Sequence, residues 1–294
     1  MSARAFLPYS IAIVTPFTKS GAFDAAAVPG VVEYYSKLAP GLLVCGSTGE
    51  QHVLSIAERK QLYQIVRKTT GPDYPLYAGV ATFKTADAIE LAKSAYEAKY
   101  TGIMLGFPPY RIISQRDAEC YIKDVAAATP LPIFLYNNPR RTGFALEPEV
   151  FVRLANSIPN ILGIKEAGDA ENVNKIKPLV SENISFLTGN DTSVINNFTK
   201  EGYNGITAII SGVYPEEMKQ VLELVERGQV DEANKIMNEV IRPSVDLMQS
   251  AGFLPSLKYV LRKRGVPAGY CPPPMLDPSE EHQQALDKAF NLTA

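Results

Sequence analysis

The chain has 294 residues, 46% hydrophobic and 20% charged, the profile of a globular protein that needs no disulfide or metal to complete its core. Lys and Arg number 29 against 31 Asp and Glu, a formal net charge of -2, so no global field draws the chain to nucleic acid or to anionic lipid. Two histidines, His52 and His282, and three scattered cysteines, Cys45, Cys120 and Cys271, argue against a His/Cys zinc site and against a Ser-His-Asp hydrolase. The odd, scattered cysteine set suits the reducing cytoplasm.

In chain order, residues 1–18 hold one short apolar run, Ile11 to Val14, closed by Thr15-Pro16. It is too short for a targeting segment or a membrane span and reads as a first buried strand, 10–15. Further strands are expected at 41–45, 75–80, 102–106, 132–136, 161–165, 184–188 and 205–210. Most are apolar on successive residues, as strands covered on both faces are. Helical patterns fill the gaps. Ser55-Ile56-Ala57-Glu58 reads as a capping box, and Ala88, Ala92, Ala95, Tyr96 and Lys99 recur at helical spacing over 85–99. Asp191 reads as an N-cap. Pro215-Glu216-Glu217 opens a helix over 215–226 with Met218, Val221, Leu222 and Val225 on one face. Beyond 226 the pattern is helical only, at 231–250, 253–264 and 279–290, with Gly269 to Pro274 as a loop.

Eight β–α units predict an α/β protein, a (β/α)8 TIM barrel with a C-terminal helical extension. The barrel spans 1–226, and the helices of 227–294 pack on it. An open doubly wound sheet would want a Gly-rich turn after the first strand, where Thr15-Pro16-Phe17 stands instead.

In such a barrel the chemistry gathers where strands end. Strand 2 ends in Gly46-Ser47-Thr48-Gly49-Glu50, which reads either as a plain turn or as a cradle of hydroxyls and amides for a carboxylate. Strand 5 ends in Tyr136, followed by Asn137-Asn138-Pro139-Arg140-Arg141-Thr142-Gly143: an edge-of-core aromatic with solvated arginines, or a phenol beside a guanidinium that grips a carboxylate. Strand 6 ends in Lys165. Alone, it could form a structural pair with Glu166, but strand alternation points Glu166 the other way. Desolvation at the barrel mouth would lower the lysine pKa and make it a nucleophilic amine. Tyr136 and Lys165 lie one β–α repeat apart and so end adjacent strands, a geometry for Schiff-base formation and proton relay. Strand 7 adds Thr188-Gly189-Asn190-Asp191, and strand 4 adds Pro108-Pro109-Tyr110.

Together, the 46–50 stretch (GSTGE), the 136–143 stretch (YNNPRRTG) and the 163–169 stretch (GIKEAGD) resemble, in order and spacing, the dihydrodipicolinate synthase / N-acetylneuraminate lyase family of class I pyruvate-dependent aldolases. The likeness runs over essentially the whole chain. It implies that Lys165 forms an imine with pyruvate or another 2-oxo acid, that Tyr136 shuttles protons, and that Ser47 and Tyr110 complete a hydroxyl relay, Tyr110 by reaching into a neighbouring subunit. Thr48, Gly46, Arg141, Gly189, Asn190 and Thr207 are the implied substrate contacts. The family chemistry uses no metal or organic cofactor, and members are usually homotetramers built from tight dimers.

Arg141 falls where the synthases bind the carboxylate of aspartate semialdehyde, which favours synthase-type chemistry. Three departures favour a catabolic paralogue acting on a 2-keto-3-deoxy sugar acid, a hydroxyproline-derived acid or a sialic acid. Ser47 stands where the synthases usually have Thr, and Pro109 replaces the first Tyr of their Tyr-Tyr pair. His52, Ile56, Arg59 and Phe83 alter the region where bacterial synthases bind feedback lysine. A small-acid sensor without turnover is a third class. Arg262-Lys263-Arg264 reads as a solvated face, Cys45 as a buried small hydrophobe and His52 as structural.

Overall fold

The computed structural model describes residues 5–292; residues 1–4 of the stretch searched for a targeting segment and the last two of the C-terminal extension lie outside them. All eight expected strands form: β1 (Tyr9–Ala12), β2 (Leu42–Val44), β3 (Leu76–Gly79), β4 (Gly102–Gly106), β5 (Ile133–Asn137), β6 (Ile161–Glu166), β7 (Ser185–Thr188) and β8 (Gly205–Ala208). They pair in parallel in sequence order, and β8 returns to β1 to close the barrel.

Among the described residues, nine helices lie along the barrel part: α1 (Val28–Tyr35), α2 (Ile56–Thr70), α3 (Thr85–Glu97), α4 (Gln115–Ala127), α5 (Pro139–Thr142), α6 (Pro148–Ser157), α7 (Asn172–Ile176), α8 (Val194–Lys200) and α9 (Pro215–Glu226). After them come α10 (Val230–Ile236), α11 (Arg242–Ser250), α12 (Phe253–Lys263) and α13 (Glu280–Ala289). The run expected as one helix over 231–250 is α10 and α11 joined by a π turn, Met237–Ile241. Pro243 has no N–H to return to the preceding turn, and the wider turn accommodates that loss. Among the described residues no helix is long and apolar enough to cross a membrane.

Two apolar layers hold the barrel. Phe6, Ala12, Leu43, Tyr77, Met104, Phe134 and Leu187 fill its interior. Phe6 meets Phe134 edge-on, with ring centroids 4.8 Å apart. The larger layer lies between strands and helices. The Ser55 capping box on α2 forms as expected: the Ser55 hydroxyl accepts from Glu58 N–H and the Glu58 carboxylate accepts from Ser55 N–H.

Four local expectations are corrected. Tyr96 is half exposed, because Leu91 rather than Tyr96 continues the stripe of Ala88, Ala92 and Ala95. Lys99 lies past the end of α3 in the left-handed region. Asp191 caps no helix of its own. Asn190 caps the short Asp191–Ser193 turn, and the Asp191 carboxylate instead accepts from the Ile209 and Ile210 amides, both at 2.6 Å. Arg262, Lys263 and Arg264 are not a free solvated face: Arg262 pairs with Asp277, Lys263 with Asp287, and Arg264 donates to the Val213 carbonyl.

Candidate active site

β5 and β6 place Tyr136 directly opposite Lys165 in register. The next pair in that ladder is Asn137 and Glu166, whose side chains point to the other face. There the Glu166 carboxylate accepts from Asn137 Nδ2 at 2.8 Å and from the Gly168 amide at 2.6 Å. No Lys165–Glu166 pair exists, and among the described residues Lys165 has no carboxylate within ion-pair distance.

Lys165 is 4% exposed. Its Nζ donates to the Thr207 carbonyl at 3.4 Å and stands 5.2 Å from the centre of the Tyr136 ring. Burial pulls its pKa below the ordinary lysine range. Tyr136 and Asp191 oppose that pull, and the Arg141 guanidinium reinforces it. Tyr136 is shifted down as well. Burial resists its ionisation, but the Lys165 ammonium, the Asn138 amide, the Arg141 guanidinium and the Ser47 hydroxyl together outweigh burial. The phenol oxygen accepts from Asn138 Nδ2 at 2.6 Å. Ser47 shares the cavity wall and favours the phenolate, yet the bond with full hydrogen-bond geometry comes from Asn138.

The loop after β2 leaves the barrel abruptly. Cys45 adopts a left-handed φ of 56°, and its carbonyl lies where a Cβ on Gly79 would be, 2.1 Å away, so only glycine fits on β3. Ser47 and Thr48 then line a cavity of about 330 Å³ together with Tyr136, Asn138, Arg140, Arg141, Lys165 and Gly189. Among the described residues the Thr48 hydroxyl and the amide N–H groups of Ser47 and Thr48 have no protein partner, while the Ser47 hydroxyl lies by the Tyr136 oxygen. Arg140 and Arg141 likewise carry no ion pair among the described residues. A second cavity of about 640 Å³ shares Ser47, Tyr136, Asn138 and both arginines, but does not reach Lys165. It gathers His52, Ile56, Arg59 and Phe83 onto one wall. The smaller cavity holds the chemistry, because it alone holds the amine.

Several expected contacts lie elsewhere. Thr207 sits one side-chain layer below the cavity, where Ile209 of the same strand end is on the wall; its hydroxyl accepts from Ser10 at 3.1 Å and only its carbonyl touches Lys165. Asn190 is exposed and turned to Thr192. Gly46 forms the loop base against Leu43 and is not on the wall. Tyr110 is 92% exposed and lines neither shared cavity. Sequence reasoning missed Asn138, which lies inside a recognised motif, and the closeness of Asp191 to Lys165, whose only signal was an acid at the end of the next strand. Among the described residues, no group of three His, Cys, Asp or Glu could hold a metal ion.

The sequence profile of the Dihydrodipicolinate synthetase family matches residues 5–292. The chain belongs to that family. It is thereby a class I, Schiff-base-forming lyase. It is 31% identical to the 4-hydroxy-tetrahydrodipicolinate synthase of Bacillus subtilis, covering 96% of this chain and 97% of that one. The synthase of Chlorobium phaeobacteroides is 30% identical, with 99% of each covered. Among solved structures, a dihydrodipicolinate synthase from Bacillus anthracis superposes with a TM-score of 0.89 at 28% identity, covering 97% of this chain and 98% of that one. The lysine-bound enzyme of Cyanidioschyzon merolae gives 0.88 at 25%, covering 99% and 100%.

Proposed function

We propose that the protein condenses pyruvate with aspartate semialdehyde, as a 4-hydroxy-tetrahydrodipicolinate synthase. The observation that carries this is the buried Lys165 amine opposite Tyr136, in a cavity that also holds the Ser47 and Thr48 hydroxyls and the Arg140 and Arg141 guanidinium groups. Lys165 attacks the ketone carbon of pyruvate, and loss of water leaves a protonated imine. That imine is an electron sink, so the methyl group gives up a proton and becomes an enamine. Ser47 and Thr48 hold the pyruvate carboxylate while Tyr136 moves protons to and from the ketone oxygen. The enamine carbon then bonds to the aldehyde carbon, whose oxygen takes a proton. The amino group of the second substrate displaces Lys165 from the imine carbon, which closes the ring and frees the enzyme.

Arg141 grips the carboxylate of the incoming aldehyde. Arg141→Ala is expected to lower kcat/KM for aspartate semialdehyde roughly 10- to 100-fold, the loss of one charge-assisted pair, while Lys165 is still labelled at saturating pyruvate. A panel of aspartate semialdehyde and 2-keto-3-deoxy sugar acids, coupled to pyruvate consumption or release, decides the reaction. Turnover of sugar acids alone would replace the synthase reading with the catabolic one, and binding without any turnover would favour the sensor.

The third relay hydroxyl, Tyr110, comes from a second copy, and the assembly is a cytoplasmic homotetramer made of two such pairs. Support comes from Tyr110 and its apolar surroundings, Phe83 and Ile112, which are 92%, 65% and 73% exposed on the single chain. Sedimentation at micromolar concentration is expected to give a tetramer, and Tyr110→Phe to keep that size while slowing turnover. A monomer with full activity refutes the shared relay.

A further inference from the structure

Glu50 closes the loop after β2, and the proposed chemistry does not use it. Its side chain is 1% exposed, and its ion-pair partner, Lys258 of α12, is 0% exposed. Such a pair is a poor stabiliser, because the desolvation of both charges offsets their attraction. Geometry is what it supplies. The Lys258 ammonium donates to Glu50, to the Thr15 carbonyl at 2.7 Å and to the Tyr270 carbonyl at 2.8 Å, so all three protons are used. It also stands 4.8 Å from the centre of the Phe17 ring.

These acceptors belong to three separate segments: the chain just after β1, the loop after β2, and the loop after α12. Each segment is tied again to its neighbour. The Thr15 hydroxyl donates to the Gly49 carbonyl at 2.7 Å, and the Glu50 amide donates to the Ser47 carbonyl at 3.1 Å. The Tyr270 amide donates to the Phe17 carbonyl at 2.8 Å. That approach requires Gly269, at a left-handed φ of 64°, since a Cβ there would stand 2.5 Å from the Phe17 backbone. Glu50 itself holds a left-handed φ of 50°, a conformation a non-glycine residue keeps only when its surroundings enforce it. The clamp holds the end of the loop that carries Ser47 and Thr48, both on the cavity wall.

We infer that Glu50 and Lys258 are positioning residues: the buried pair fixes the Gly46–Glu50 loop so that Ser47 and Thr48 meet the 2-oxo acid carboxylate. The inference rests on reading the Lys165 cavity as a pyruvate site. It makes α12, in the C-terminal extension, a working part of the barrel mouth.

Pyruvate titrations under borohydride, with the Lys165 adduct read by mass spectrometry, test it in the full chain. The variants are Glu50→Gln and the double Glu50→Gln/Lys258→Met, which leaves no buried charge unpaired. Half-saturating pyruvate should rise at least about tenfold in both, while trapping at saturating pyruvate changes less than about threefold. Circular dichroism and thermal melting are read alongside. Variants that melt lower yet keep the parent half-saturation overturn the inference, since the pair is then a strut for the fold alone. A parent protein that forms no adduct refutes the pyruvate reading itself.

Discussion

Lys165→Ala is expected to form no borohydride-stable adduct with pyruvate and to lose turnover on the order of 10⁴-fold or more. Covalent catalysis needs a neutral amine, and Lys165 is the one amine on the cavity wall. Its burial, with no carboxylate partner to hold the proton, is what lowers its pKa. Arg140 and Arg141 share the wall, but a guanidinium is not an imine-forming nucleophile and cannot replace it. Lys258 is the informative contrast. It is as deeply buried and burial pulls its pKa down too, but its ammonium is engaged by a carboxylate and two carbonyls and lies off the cavity wall, out of reach of a ketone. Lys165→Arg should lose as much activity as Lys165→Ala, because it restores charge without a nucleophile. Mass spectrometry of the 161–169 peptide after pyruvate and borohydride, with pyruvate consumption measured in parallel, reads both effects. An adduct that persists in Lys165→Ala would place the imine on another lysine and remove the basis of the proposed mechanism.

The barrel was legible because its strands are covered on both faces, which writes them as short unbroken apolar runs such as Ile103-Met104-Leu105 and Ile133-Phe134-Leu135. The Lys165–Tyr136 pairing was legible for a related reason: in a β–α repeat, residues one unit apart at strand ends become neighbours. What stayed hidden depends on contacts that no local pattern encodes. The Glu50–Lys258 pair spans 208 positions, and no local pattern in the sequence joins the two residues. Asn138 and Asn137 are adjacent amides, and only the pleat decides that Asn138 meets the phenol while Asn137 meets Glu166. Thr207 fell one layer too deep for the same reason that strand ends are hard to set: two residues along a strand separate the cavity wall from the layer beneath it. Asp191 carries the signature of an N-cap, but its Oδ2 instead accepts from two amides at the end of the following strand.

Tyr136→Phe is the second large effect, a loss of about 10²- to 10⁴-fold in kcat, the usual contribution of a positioned general acid or base. The ring remains to pack beside Lys165, so borohydride trapping at saturating pyruvate and long incubation should still label Lys165, only more slowly. The pH profile separates proton transfer from packing. In the parent protein the two groups titrate as a coupled pair, each held below its ordinary range. Activity should rise with pH as Lys165 loses its proton and fall again as the phenol loses its own, giving a bell. Removing the phenol removes the descending alkaline limb. Burial still disfavours the Lys165 ammonium when the phenol is gone, so the ascending limb should stay below the ordinary lysine range. A variant that is slower but keeps the parent bell would show that Tyr136 orients pyruvate without exchanging protons. The relay would then belong to another hydroxyl, and Ser47, on the same wall, is the first to test.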